Sequence, residues 1–178
     1  MKLFEAIDTE TRKYNLRFLV IGGLAINLYG YSRDTADLDF LISQTDRIQW
    51  LDLFTRLRYV VFHDGGNFIQ LSSTEHTAWP VDLMLVRTET FQPMLDASRE
   101  VDLYGTNSRI PSLEHLLALK LHVLKNTRMH RFLKDFLDVE NLIRINKLDI
   151  KSENIRQLFA KYGTLELYEK VSNALASK

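Results

Sequence analysis

Phe18-Leu19-Val20-Ile21-Gly22-Gly23-Leu24-Ala25-Ile26, followed one loop later by Asp37-Leu38-Asp39-Phe40-Leu41-Ile42, is the stretch whose reading decides the fold. Phe18–Ile21 is a continuous apolar run, the pattern of a strand buried on both faces. Gly22-Gly23 stops it, and Leu24, Ala25, Ile26 and Leu28 suit a short helix closed by Gly30. Tyr31–Ala36 is a polar loop carrying Arg33, Asp34 and Thr35. Asp37–Ile42 reads as a second strand. Side chains alternate along a strand, so Leu38, Phe40 and Ile42 share one face and Asp37, Asp39 and Leu41 the other.

The two glycines have two readings. Glycine permits a tight strand-to-helix turn, and it also leaves backbone N–H groups bare to approach a phosphate at the helix start. No Gly-Lys-Ser/Thr follows, so the pair is not a Walker motif, and the third glycine of a dinucleotide fingerprint is missing. The two aspartates are harder to leave structural. Like charges on one strand face repel unless something positive sits between them. Arg33 or solvent at a sheet edge would serve, but the apolar residues around the acids mark an interior strand. Carboxylates together with substrate phosphates are the usual ligands of Mg²⁺. Asp82, inside the apolar run Val81-Asp82-Leu83-Met84-Leu85-Val86, is a third acid in strand context. If its strand lies beside Asp37–Ile42, it completes a three-carboxylate cluster. Glu75 and Asp102 are weaker claimants, placed in a loop and near a turn.

Outward from this stretch, residues 3–14 have the spacing of an amphipathic helix. Asp46-Arg47-Ile48-Gln49 resembles a capping box, predicting a helix from there to about Arg58. Tyr59–His63 and Asn67–Ser72 read as strands of a hairpin around Asp64-Gly65-Gly66, with a polar loop at Ser73–Pro80. Thr90–Ser98 reads as helix, and Val101–Ile110 carries a turn at Tyr104-Gly105-Thr106-Asn107. After Pro111-Ser112 the pattern is helical, with helices expected at 112–125, 131–146, 152–162 and 165–176. The shift in composition divides the chain into an α/β domain, 1–106, and a helical domain, 107–178.

In the helical half, Leu113, Leu116, Leu117 and Leu124 define an apolar face with Lys120 in its middle. A lysine there either runs its stem out to solvent or points at an anion. Lys120, Lys125, Arg128, Arg131 and Lys134 form a run without an acid, which is either a solvated helix end or a positive wall for triphosphate or nucleic acid. Asp135 lies beside the stripe of Phe132, Phe136, Glu140 and Ile143, where it either reaches a cleft or pairs with Arg131. The five histidines, His122 and His130 among them, have no metal-ligand spacing, and Trp50 and Trp79 read as packing residues.

Composition excludes other classes. Lys and Arg number 23, Asp and Glu 23, so bulk charge does not draw the chain to nucleic acid. Absence of cysteine removes disulfides and thiolate metal sites. No apolar run approaches the roughly 20 residues of a membrane span, and the N-terminus has no signal-peptide core. A soluble cytoplasmic protein is expected.

A buried strand, Gly-Gly, a short helix, Asp-x-Asp on a strand and a third Asp on a later strand together resemble the nucleotidyltransferase superfamily that includes DNA polymerase beta. Ile21–Ala25, Arg33-Asp34-Thr35-Ala36 and Asp37–Ile42 are similar to its small prokaryotic members, including abortive-infection nucleotidyltransferase toxins. Pro111–Glu114 through Lys120, and Arg131–Asp138, extend the likeness. Many superfamily members carry Gly-Ser where this chain has Gly22-Gly23, which removes a hydroxyl but keeps the N–H groups.

The resemblance implies an α/β (α+β) fold: a mixed β-sheet flanked by helices, then a C-terminal helical lobe, with a cleft between. It implies transfer of a nucleoside monophosphate from an NTP such as ATP to an acceptor hydroxyl. Asp37, Asp39 and Asp82 would be catalytic and would hold two Mg²⁺ ions, with Mn²⁺ as an alternative. Gly22 and Gly23 would cradle phosphates, and Lys120, with Arg33 or Lys134, would neutralise the triphosphate. The expected acceptor is RNA (tRNA above all) or a protein, with an antitoxin as partner if the enzyme is a toxin. The rivals are a small-molecule, antibiotic-type nucleotidyltransferase, a non-catalytic nucleotide-binding module, and an Asp-x-Asp glycosyltransferase. The last leaves Gly22-Gly23 unexplained.

Overall fold

A computed structural model describes residues 2–75, 79–126 and 129–177. The chain forms two compact units. One is Met1–Ala25 with Asp34–Ser112, and the other is Ile26–Arg33 with Leu113–Lys178.

The first unit is built on β1 (Phe18–Val20), β2 (Leu38–Ser43), β3 (Tyr59–Asp64), β4 (Phe68–Ser73) and β5 (Val81–Val86), in the order β1-β2-β5-β4-β3. Only β2 and β5 run parallel; the other neighbours are antiparallel, so the sheet is mixed. The parallel pair β2 and β5 lies inside the sheet, and most of its residues are buried. The helices α1 (Lys2–Tyr14), α2 (Gly22–Leu28), α3 (Arg47–Arg56) and α4 (Thr88–Asp96) accompany these strands, the division between units falling inside α2. Phe40 meets Phe18, Trp50 and Phe54 with ring centroids 5.4 to 6.4 Å apart, an aromatic core between sheet and α3.

A separate hairpin, β6 (Arg99–Leu103) and β7 (Thr106–Ile110), turns through Tyr104 and Gly105 at φ 55° and 84°. Two consecutive positive φ values are what a two-residue hairpin of right-handed twist requires. Asp46 does not act as the expected cap. A short 3₁₀ turn at Gln44–Asp46 leads into α3, and it leaves Asp46 at φ −95°, ψ 5° with no side-chain bond to the helix start. Capping needs an extended backbone at that residue. Of the Ser73–Pro80 loop, residues 76–78 lie outside the described residues.

The second unit is helical: α5 (Leu113–Asn126), α6 (Met129–Ile145), α7 (Glu153–Tyr162) and α8 (Leu165–Ala176). Helix α5 packs on α6 and α7, and both of those pack on α8. Leu116, Leu117, Leu121, Leu124, Val139, Leu142, Ile155, Phe159, Leu167 and Val171 form its core. Thr164 begins α8 by accepting the Leu167 N–H at 3.1 Å, a side-chain N-cap. Residues 26–33 belong here: the Asn146 amide donates to the Tyr29 carbonyl at 3.1 Å.

Candidate active site

The parallel register of β2 and β5 sets Asp39 directly opposite Asp82. Register partners on adjacent strands project to the same face. Asp37 sits one residue before β2, and one carboxylate oxygen from each of Asp37, Asp39 and Asp82 lies within 4.8 Å of the other two. Asp82 is buried at 7% exposure and the other two are partly exposed, so the cluster opens to one side.

Neighbouring residues hold each acid. The Ile21 N–H donates to the Asp39 carbonyl at 2.9 Å, which brings Gly22 against Asp39. A Cβ on Gly22 would lie 1.8 Å from Asp39 Oδ2, and Gly22 has φ +62°. Glycine is therefore required twice, for the backbone and for room. The Thr35 hydroxyl donates to Asp37 Oδ1 at 3.0 Å. Gln70 of β4 stands opposite Asp82 in register, and its amide nitrogen reaches Oδ1 and Oδ2 at 3.3 and 3.5 Å.

The donor set suits a hard cation. It is all carboxylate oxygen, the preference of Mg²⁺, Mn²⁺ and Ca²⁺. Two ligands of one Mg²⁺ are at most about 4.2 Å apart, and paired ions sit about 3.5–4 Å apart. Three oxygens within 4.8 Å match that scale, and the cluster is able to hold a divalent metal.

Arg33 and Lys120 come together in the second unit. Arg33 Nε and Nη2 donate to Asp138 at 2.8 and 3.2 Å. Lys120 Nζ lies 2.8 Å from Asp135 and 2.7 Å from Asp138. Asp138 is fully buried and Asp135 nearly so, while both cationic side chains are 13% exposed. Asn27 brackets the Arg33 backbone, donating to its carbonyl at 3.0 Å and accepting its N–H at 2.9 Å. Lys125 and Lys134 are exposed. Arg128 and the side chains of His130 and Arg131 lie outside the described residues. Trp50 is fully buried in the aromatic core, and Asp102 serves its own hairpin by accepting the Gly105 N–H.

Sequence reasoning missed Gln70 and Asp138. Alternation along β4 puts Gln70 on the face opposite Ile69 and Leu71, a signal that existed. Asp138 follows Asp135 by three residues and so shares its helical face.

Asp39 and Asp82 on the parallel pair and Asp37 just before it thus gather beside Gly22 on a mixed sheet, and the family this chain matches is one of nucleotidyltransferases. Residues 4–175 match the family described as "Nucleotidyl transferase of unknown function (DUF2204)", and the chain belongs to it. No curated protein matches the chain in sequence. Among solved structures it is similar to an antigenic nucleotidyltransferase-like protein from Paracoccidioides brasiliensis, at 16% identity and TM-score 0.59, over 99% of this chain and 92% of that one. It is also similar to the antibiotic-resistance factor ANT(2'')-Ia, at 14% identity and TM-score 0.65, over 99% and 97%. The lincosamide antibiotic adenylyltransferase LnuA, solved with lincomycin bound, matches at 17% identity and TM-score 0.57, over 80% and 95%. These likenesses establish the shared fold. Among the described residues no helix is long and apolar enough to cross a membrane.

Proposed function

We propose that the protein transfers a nucleoside monophosphate from an NTP to an acceptor hydroxyl in a Mg²⁺-dependent reaction that releases pyrophosphate. The observation that carries this reading is the convergence of Asp37, Asp39 and Asp82 within 4.8 Å beside Gly22. In it, the three carboxylates hold two Mg²⁺ ions, with Mn²⁺ able to replace them. When bound, such ions lower the pKa of the acceptor hydroxyl and stabilise charge on the leaving pyrophosphate. Gly22 and Gly23 present N–H groups to the phosphates, and Asp82 assists removal of the acceptor proton. Arg33, Lys120 and Lys134 are the cations proposed for the triphosphate. The first two already meet buried carboxylates, so in this reading any phosphate role is shared with Asp135 and Asp138.

Asp39→Asn is expected to lower Mg²⁺-dependent transfer by roughly 10³-fold while the circular dichroism spectrum stays that of the native protein. Retention of full activity in that variant would end the metal reading.

For the acceptor, the reading from the sequence is RNA or a protein, with a toxin role and a cognate antitoxin as its corollary. A second reading, a small-molecule acceptor, is supported by the likeness to ANT(2'')-Ia and LnuA, which are an antibiotic-resistance factor and an antibiotic adenylyltransferase. Incubation with each labelled NTP, Mg²⁺ and a cell extract separates them. Label in the RNA or protein fraction supports the first, and label confined to small solutes supports the second.

A further inference from the structure

We propose that Gln70 is a positioning residue for the metal site: it orients the Asp82 carboxylate without neutralising it. This rests on the metal reading above and adds a residue to it. Asp39, Asp82 and Gln70 form a row across three adjacent strands, fixed by the β2–β5 and β4–β5 registers. Asp82 is thereby flanked by a like charge on one side and an amide on the other. The carboxylate is buried, and the Gln70 amide nitrogen stands 3.3 and 3.5 Å from its two oxygens.

The chemistry of position 70 matters because of what it is not. A lysine or arginine there would orient Asp82 equally well, but it would bring a positive charge beside the ligands and oppose a cation. A glutamate would add a like charge and no donor. A leucine would leave a buried carboxylate without one of its hydrogen bonds, free to rotate away from the metal. A neutral amide fixes the ligand and leaves its charge for the ion, which is how partners of metal ligands act in general. Packing does not demand glutamine here. The core face of β4 is carried by Ile69 and Leu71, both buried, while Gln70 is half-buried on the opposite face.

The test uses the intact chain and Mn²⁺ as probe, with free Mn²⁺ read by electron paramagnetic resonance, so no substrate or turnover is needed. Gln70→Leu is expected to weaken Mn²⁺ binding about 10-fold with the thermal midpoint held. Gln70→Arg is expected to weaken it further. Raising Mn²⁺ should restore the transfer rate of Gln70→Leu, which a merely structural role would not do. Native affinity in Gln70→Leu overturns the proposal, and so does a loss of affinity that follows the unfolded fraction. Asp39→Asn serves as control: if it too binds Mn²⁺ like the native protein, the metal reading falls and takes this proposal with it. If it loses Mn²⁺ while Gln70→Leu keeps it, only the role of Gln70 is refuted.

Discussion

Gly22 carries two constraints at one position, a φ of +62° and an Asp39 oxygen 1.8 Å from where a methyl group would sit. Gly22→Ala therefore faces a left-handed backbone penalty of about 1–2 kcal/mol and must also displace a carboxylate. The expected outcome is a lower thermal midpoint together with weaker Mn²⁺ binding, measured on one preparation. A fall in stability with native metal affinity would mean that Asp39 adapts. The three acids were legible because each stands out against an apolar strand, a contrast visible within six residues. What decides their register is not local. That Asp39 faces Asp82, and that Gln70 stands on the far side of Asp82, follows from the pairing of β2 and of β4 with β5, which periodicity within one strand does not encode.

Lys120 of α5 is where helical spacing and tertiary pairing part ways. Its place in the middle of an apolar face was readable, but its partners were not, since Asp135 and Asp138 lie on α6. Removing one member of a buried ion cluster leaves charges uncompensated, at a cost of about 3–5 kcal/mol. Lys120→Ala is thus expected to lower unfolding free energy in urea by about 3 kcal/mol. Lost ATP affinity with unchanged stability would assign the lysine to phosphate instead.

Strand β3 makes a different prediction. Burial, reinforced by the charge of Glu75, pushes the Tyr59 hydroxyl up to about 12, and that hydroxyl donates to the Trp79 carbonyl at 2.8 Å. A raised folded-state value means stability is fully present below pH 10 and is lost as pH climbs from 10 towards 12. Tyr59→Phe should cost about 1 kcal/mol at neutral pH and show a flatter alkaline decline, read by denaturant titrations across pH. Elsewhere at this scale the sequence was a good guide. The helices of the second half, expected at 131–146, 152–162 and 165–176, lie at Met129–Ile145, Glu153–Tyr162 and Leu165–Ala176. Apolar periodicity and Gly163 are local signals that survive folding.

Across the whole molecule, the mixed sheet and the helical second half followed from the order of elements, whereas the membership of residues 26–33 in the helical unit did not. That membership depends on contacts such as Arg33 with Asp138 and Tyr29 with Asn146, which no local pattern announces. No single break in the chain separates the units, because each of them is made of two segments. A fragment spanning 113–178 lacks Asn27 and Arg33, so among the described residues Asp138 keeps Lys120 as its cationic partner. It is expected to be markedly less helical by circular dichroism than the same residues within the full chain, with added peptide 26–33 restoring part of the signal. During synthesis the same arrangement imposes an order in time. Arg33 leaves the ribosome 105 residues ahead of its partner Asp138. At roughly 5–20 residues per second, that is a wait of about 5–20 s. Through that interval the guanidinium lacks Asp138, its bidentate partner. The last steps of assembly therefore belong to a nearly finished chain.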